Sequence, residues 1–566
     1  MNKQSTNKTL LCLCALSLFG MTSCVDNDYD LSKDIDMTVT VGGDELTIPG
    51  SNTDTISLRK IFDLDPESTV QADAKGNYAL VQTGEGSDTK VTIDGVRINA
   101  NEINIESATS DLDFEMTPND ELEANVSTET TFDIEKTNVT EDVTELYNAF
   151  VEMPASLSMR IIGNQGITLK EGFRVNFPSY LHVTTDDPNC VITDGHLLEF
   201  INNLPVSQSN PLFIPLHITY IDFEAMEEGN GLIEPGHLKI SDKVTVEGTS
   251  STTGGTPIHI TMITSFNIEQ IELTDVTAKV DPKIDVTIDP ISINNLPDFL
   301  QDDNVTIDMT DPRIFLTVSN SSPVKVNFTG TLESFKNRSN IAAVNIPTIV
   351  IPAETENYVI CLHRQEGDVD GADESVTVAN LNDLIATIPD QIKMENIEAK
   401  AADERVTLTL GSTYNVKTDY EINAPLQFNE GTNIVYTDSF DGWNSDIKDM
   451  EVKEMRVTMD AVNTIPLKMN MEVTAIDADG KPVDGIVTTI DGEIAAGTSK
   501  EVATTTISIS LKATNPVAFQ AVDGLEYKVN AGASTQTAGQ VLNENQTLKL
   551  NNVKVKVIGG VTVDLN

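Results

Sequence analysis

The chain lacks the residue arrangements that common catalytic motifs require, and it is poor in aromatics and cations. It has 566 residues but one tryptophan, Trp443, and aromatics of all kinds reach only 5%. Six histidines are present. No two of them have zinc spacing, and no H-E-x-x-H occurs. There is no G-x-S-x-G elbow, no Walker A loop and no dinucleotide fingerprint. Cations are scarce as well: Lys and Arg number 36 against 88 Asp and Glu, for a net charge of −52. That balance argues against nucleic acid, which needs a basic footprint. It argues equally against charge-driven docking on anionic lipid. No apolar run approaches the ~20 residues of a transmembrane helix.

What is present begins with an address. Lys3 and Lys8 precede an apolar run, LLCLCALSLFG from Leu10 to Gly20, and then Met21-Thr22-Ser23-Cys24. This has the layout of a signal peptide over 1–23. The stretch resembles a bacterial lipobox, although Met21 stands where leucine is usual. The resemblance implies that Cys24 is acylated and opens the mature chain. Several acyl chains anchor stably, at about 0.8 kcal/mol per buried CH₂. Asp26, Asp28 and Asp30 follow at once. They resemble the acidic export signal of Bacteroidetes lipoproteins, which implies an outer-membrane protein facing the cell exterior. Cys12 and Cys14 leave with the signal, so Cys190 and Cys361 remain. They lie far apart in the chain, and two buried free thiols are expected.

The body alternates at period two in runs rich in Val, Ile and Thr, such as VTIDGVRINANEINIE (91–106), VKVNFTGTL (324–332) and TTTISISLKA (504–513). KGN at 75–77, DADG at 477–480 and GG at 559–560 read as turns. Short helices are expected at Ser57–Leu64, Glu141–Met153, Leu296–Gln301 and Asn380–Ala386. The fold class is all-β, a tandem array of β-sandwich modules with a few short helices. The contiguous reading gives a tether and N-terminal β module at 24–90 and a sandwich at 91–263. A second sandwich with short helices follows at 264–390, then one or more at 391–566.

One internal repeat is ungapped. RIFLTVSNSSPVKVNFTGT from Arg313 and RVTMDAVNTIPLKMNMEVT from Arg456 align at an offset of 143, with Asn320/Asn463, Pro323/Pro466 and Lys325/Lys468 coinciding. Each copy reads as strand, Asn-Pro corner, strand. The pattern resembles the sandwich of late-embryogenesis-abundant type 2 (water-stress) proteins. Immunoglobulin-like sandwiches share that architecture. The resemblance implies a fold and no catalytic residue.

Few residues stand out as sites. Tyr436, Phe440 and Trp443 fall together in YTDSFDGWNSD and form the candidate ligand face, for a glycan or a protein. The competing reading is a plug between domains. Asp368, Asp370 and Asp373, with Glu374, cluster around a glycine and are the candidate calcium ligands, although the loop is not an EF-hand. No other cofactor is expected. Asp477, Asp479 and Asp484 read as a hairpin turn. His217 and His259 sit in strand-like contexts. Asp54-Thr55-Ile56 resembles a Bacteroidetes O-glycosylation tripeptide, with Thr55 the acceptor. A glycosidase needs only two carboxylates, so a hydrolase stays among the alternatives. The leading expectation is a non-enzymatic, lipid-anchored surface protein for binding or display, adhesin-like or glycan-capturing. The alternatives are a fimbrillin-like subunit, with KVKVIGGVTVDLN as a donor strand, and the handling of lipids or other hydrophobic ligands.

Overall fold

The computed structural model describes residues 38–41, 45–49, 52–64, 66–116, 122–253, 258–297, 300, 304–442, 444, 450–498, 500–515 and 517–564. Among the described residues, strands make up 62% and helix 4%, arranged in several sheets that form tandem β-sandwich modules. Alternation dictates this. Strands Arg313–Asn320 and Val326–Lys336 bury every second residue. The buried phase holds Ile314, Leu316, Val318, Val326, Phe328 and Leu332, so each strand presents one apolar face to a facing sheet.

The sandwiches are nested along the chain. Thr38–Val41, Glu45–Pro49 and Ile56–Ser57 all run antiparallel to Thr547–Asp564, from Thr38↔Asp564 to Ile56↔Leu548. With Met450–Asn463, Ala503–Ala513 and Ile486–Asp491 they make one sheet of the end sandwich. Ile434–Phe440, Gly524–Gly532 and Lys468–Ile476 form a second, smaller sheet in this part of the chain. The middle sandwich starts at Val70–Ala72 and Tyr78–Thr92 and finishes with strands between 291 and 425. Tyr78–Thr92 pairs along its length with Thr413–Pro425. Between these halves lies an insert sandwich built from 93–280. It is stitched to the middle one where Val406–Thr409 pairs with Gln270–Val280.

The strand pairing therefore does not follow the contiguous segments 24–90, 91–263, 264–390 and 391–566. Residues 70–92 belong with a strand more than three hundred residues later. The break at 263/264 falls inside strand Ile258–Ile268. Local turn signals mark where strands end, and they carry no information about such distant partners.

Three cores match the three sandwiches. The insert core takes in Val324, Val406, Leu408 and Leu410 from the middle part of the chain, and among the described residues nothing beyond 434. The middle core takes in Ile465, Leu467, Ala533 and Leu542 from the end part. The sandwiches are thus joined in series: end, middle, insert.

Two helix expectations hold as short turns: an α-helix at Leu58–Phe62 and a 3₁₀ turn at Leu381–Leu384. That at Leu296–Gln301 lies partly outside the described residues. The one at Glu141–Met153 is overturned, because this segment opens the 20-residue strand Val143–Ile162. Three strands pair with it, and register shifts occur at Leu146/Asn148 and Phe150/Met153. Such bulges break the period of two, and the apolar spacing then imitates a helix. Gly559-Gly560 is not a turn either. It sits inside Thr547–Asp564, opposite a register shift between Val452 and Glu454, where glycine suits a bulge.

The repeat at offset 143 is a repeated corner. Asn320 and Asn463 are both 0% exposed. The Asn320 amide donates to the Val324 and Pro352 carbonyls at 2.8 and 3.0 Å. The Asn463 amide donates to the Leu467 and Ala495 carbonyls at 3.1 and 2.9 Å. Each also accepts from the backbone N–H two residues on, Ser322 and Ile465. Every partner is displaced by the same 143 positions.

Candidate functional site

Cys24, Asp26, Asp28, Asp30 and Trp443 lie outside the described residues. Thr55 is exposed, just after Thr53, whose N–H is tied to the Leu550 carbonyl at 2.9 Å. Tyr436 and Phe440 are on strand Ile434–Phe440, at the edge of the three-stranded sheet. Tyr436 and Asp438 pair there with Val529 and Tyr527. The Tyr436 and Tyr527 hydroxyls both donate to Asp438 Oδ2, at 3.0 and 3.1 Å. Burial first, then the Asp438 carboxylate, raises both phenols above their ordinary range. Both donors are committed to an internal acceptor, so this cluster is a brace between strands. The following loop is tied down too, since Asp523 accepts from the Gly442 and Asn444 N–H groups at 3.2 and 2.9 Å.

The acidic loop does not assemble a calcium site. Asp368 and Asp370 are exposed. Asp373 turns back to accept from the Val359 N–H at 2.8 Å. Among the described residues no three His, Cys, Asp or Glu side chains group as a metal ion needs. Asp477 caps its own hairpin, accepting from the Asp479 and Lys481 N–H groups. His259 is an exposed strand histidine 2.8 Å from Asp113, and that bond raises its pKa.

Cys190 and Cys361 are free and buried. Burial pushes both thiols up to about 12, the reverse of what a nucleophile needs. Cys361 shares a strand with His363, whose Nδ1 is 3.7 Å from Asp311. The three residue types suggest a hydrolytic trio. However, Cys361 is 0% and His363 2% exposed, so neither reaches solvent.

A different set of residues forms an open face. On the outer side of the insert sandwich, three adjacent strands place Phe150 opposite Tyr220, and Tyr220 opposite His182. The ring centroids are 5.4 Å apart for Phe150–Tyr220 and 5.2 Å apart for Tyr220–His182, and both pairs meet edge to face. Phe150 is 56% exposed, although its neighbours Ala149 and Val151 are buried. The next outward-facing pair along the same two strands, past the buried Ala149↔Ile221, is Asn148↔Asp222. Sequence reasoning missed this row because it read Phe150 as part of a helix. Read as a strand, Phe150 falls on the outward phase, and an aromatic on the polar phase is the signal.

No protein-family model and no curated protein matches the chain. Among solved structures, a presumed secreted protein from Parabacteroides distasonis aligns over 50% of this chain and 83% of its own, with 15% identity and a TM-score of 0.37. The infectious bursal disease virus VP2 subviral particle aligns over 88% of this chain and 86% of its own, with 7% identity and a TM-score of 0.07. At these values neither likeness carries an argument about this chain.

Proposed function

We propose that the protein is anchored by lipid at Cys24 in a bacterial outer membrane, faces the cell exterior and works by binding or display. The lipobox-like Met21-Thr22-Ser23-Cys24 and the acids at 26, 28 and 30 support the address. The observation that carries the reading is the clasp between Thr38–Val41 and Val561–Asp564. It sets the residues that follow the tether on the end sandwich. The insert sandwich, last in the series, then stands farthest from the anchor. A stalk of two sandwiches beneath a third suits presentation of a face to the surroundings.

The fimbrillin-like alternative needs a strand free to be donated. Thr547–Asp564 is instead paired on both edges, with Met450–Asn463 on one side and the N-terminal strands on the other. The matching Asn corners support the likeness to water-stress sandwiches. Lipid handling rests on that likeness alone.

Labelled palmitate tests the anchor. The wild-type protein is expected to incorporate it and to fractionate with the outer membrane. Cys24→Ala is expected to lose the label and the membrane association together. Equal labelling of both would remove Cys24 from the reading.

A further inference from the structure

We propose that the outer face of the insert sandwich binds a neutral oligosaccharide, stacked on Phe150 and hydrogen-bonded by Tyr220, Asn148 and Asp222. The proposal gives a ligand class to the binding role above and rests on that reading for its biological sense. Its chemistry stands on the face itself.

Phe150 is the anchor. Its exposed ring sits in mid-strand on a sheet, so the backbone fixes its position. Edge-to-face contact with Tyr220, and of Tyr220 with His182, holds the rings in place. The steps along the row follow the spacing of neighbouring strands, about 4.8 Å. A pyranose ring has a similar width, and its C–H face packs on an aromatic ring. The register shift between Phe150 and Met153, opposite Tyr220 and Ile218, locally re-aims the strand.

The polar groups beside the ring suit hydroxyls. Residues 148 and 150 share the outward phase, because Ala149 between them is buried. Among the described residues the Asn148 amide has no hydrogen-bond partner, and it offers both a donor and an acceptor. Asp222 uses one oxygen to accept from the Glu224 N–H at 3.1 Å. Its other oxygen is left to accept. A carboxylate beside an amide matches vicinal hydroxyls, which donate and accept at once.

Charge selects the sugar. Asp222 and Glu224 act on the Tyr220 hydroxyl and, after burial, raise its pKa. The nearby cation Arg405 is occupied. Both of its terminal nitrogens bond Glu224, at 3.1 and 2.8 Å, and its guanidinium lies 3.5 Å from the Tyr147 ring centroid. On a chain of net charge −52, such a face repels uronates, sulfated sugars and sialic acids.

The test is affinity electrophoresis of the soluble full-length Cys24→Ala protein in native gels. The gels are cast with neutral polysaccharides (glucomannan, galactomannan, levan, dextran and starch) and, for comparison, with polylysine. Titration calorimetry follows with oligosaccharides of whichever polymer retards it. At least one neutral polymer is expected to retard the protein. Phe150→Ala is expected to weaken binding at least tenfold and Asn148→Ala at least threefold, with melting unchanged. Tyr436→Phe, at the brace in the end part of the chain, is expected to bind as the parent does. Retardation by none of the neutral polymers overturns the proposal. So does binding that survives Phe150→Ala, or binding confined to polylysine, which would mark a cationic partner. The assay needs no cells, so its failure leaves the anchor and exposure readings standing, and theirs leaves it standing.

Discussion

Asn463 shows how much one buried side chain can hold. Its amide and carbonyl satisfy three backbone groups inside a corner that solvent does not reach. Removing it strands those groups, at about 1–3 kcal/mol for each buried polar group left without a partner. Asn463→Ala is therefore expected to destabilise its sandwich by about 3 kcal/mol, read as a lower urea midpoint for that transition. A change within the noise would mean that the corner is held by packing alone. The repeat that carries this residue was legible in the sequence, because an ungapped pair of Asn-Pro corners is hard to produce by composition. Its hydrogen bonds to Pro352 and Ala495 were not, since both lie 32 residues away. The thiols give a second residue-scale prediction. Folding raises Cys190 and Cys361 from the ordinary 9.0 to about 12. Between those values the unfolded chain loses its thiol protons first, so the native state is disfavoured as pH rises. This part of the stability is complete below pH 9 and is lost towards pH 12. Iodoacetamide at about pH 8, below the ordinary thiol range, is expected to label neither thiol natively and both in urea. Native labelling would contradict the burial.

At the scale of elements, alternation made the strands legible and left their partners hidden. Ala503–Ala513 matches the period-two run 504–513 almost residue for residue, and Val326–Lys336 overlaps most of the run 324–332. The first part of Val143–Ile162, up to Met153, reads as a helix because its bulges break that period, and this hides Phe150 and the open face. Pairing such as Thr92↔Thr413 leaves no local trace at all. The joint between insert and middle sandwiches is likewise a matter of distant residues. Arg405 reaches across to Glu224 and Tyr147, and Lys279 meets Asp403 at 3.0 Å. Exposed pairs of this kind add little to global stability but fix geometry. Arg405→Ala is expected to leave the melting temperature nearly unchanged, to broaden the distance distribution in small-angle scattering and to speed proteolysis within 281–290. Scattering and cleavage identical to wild type would mean that the strand pairing alone sets the joint.

For the whole molecule, nesting turns sequence order into position. The insert is reached early in the chain, yet it stands last in the series because the strands on either side of it pair with each other. The clasp of Thr38–Val41 with Thr547–Asp564 returns the last strand to the tether end. If the proposed lipid at Cys24 holds the protein, a tag after residue 566 would therefore report on the anchored end and not on the insert. The most direct measurement places a specific protease site in the insert turn 207–210, where Gln208 and Ser209 are exposed. Intact cells are treated with that protease, with Cys24→Ala as the control. Cleavage of the wild type on intact cells, with the control released as soluble protein or retained inside, is the predicted result. Survival of the site until the outer membrane is opened would contradict the account and turn the protein towards the periplasm.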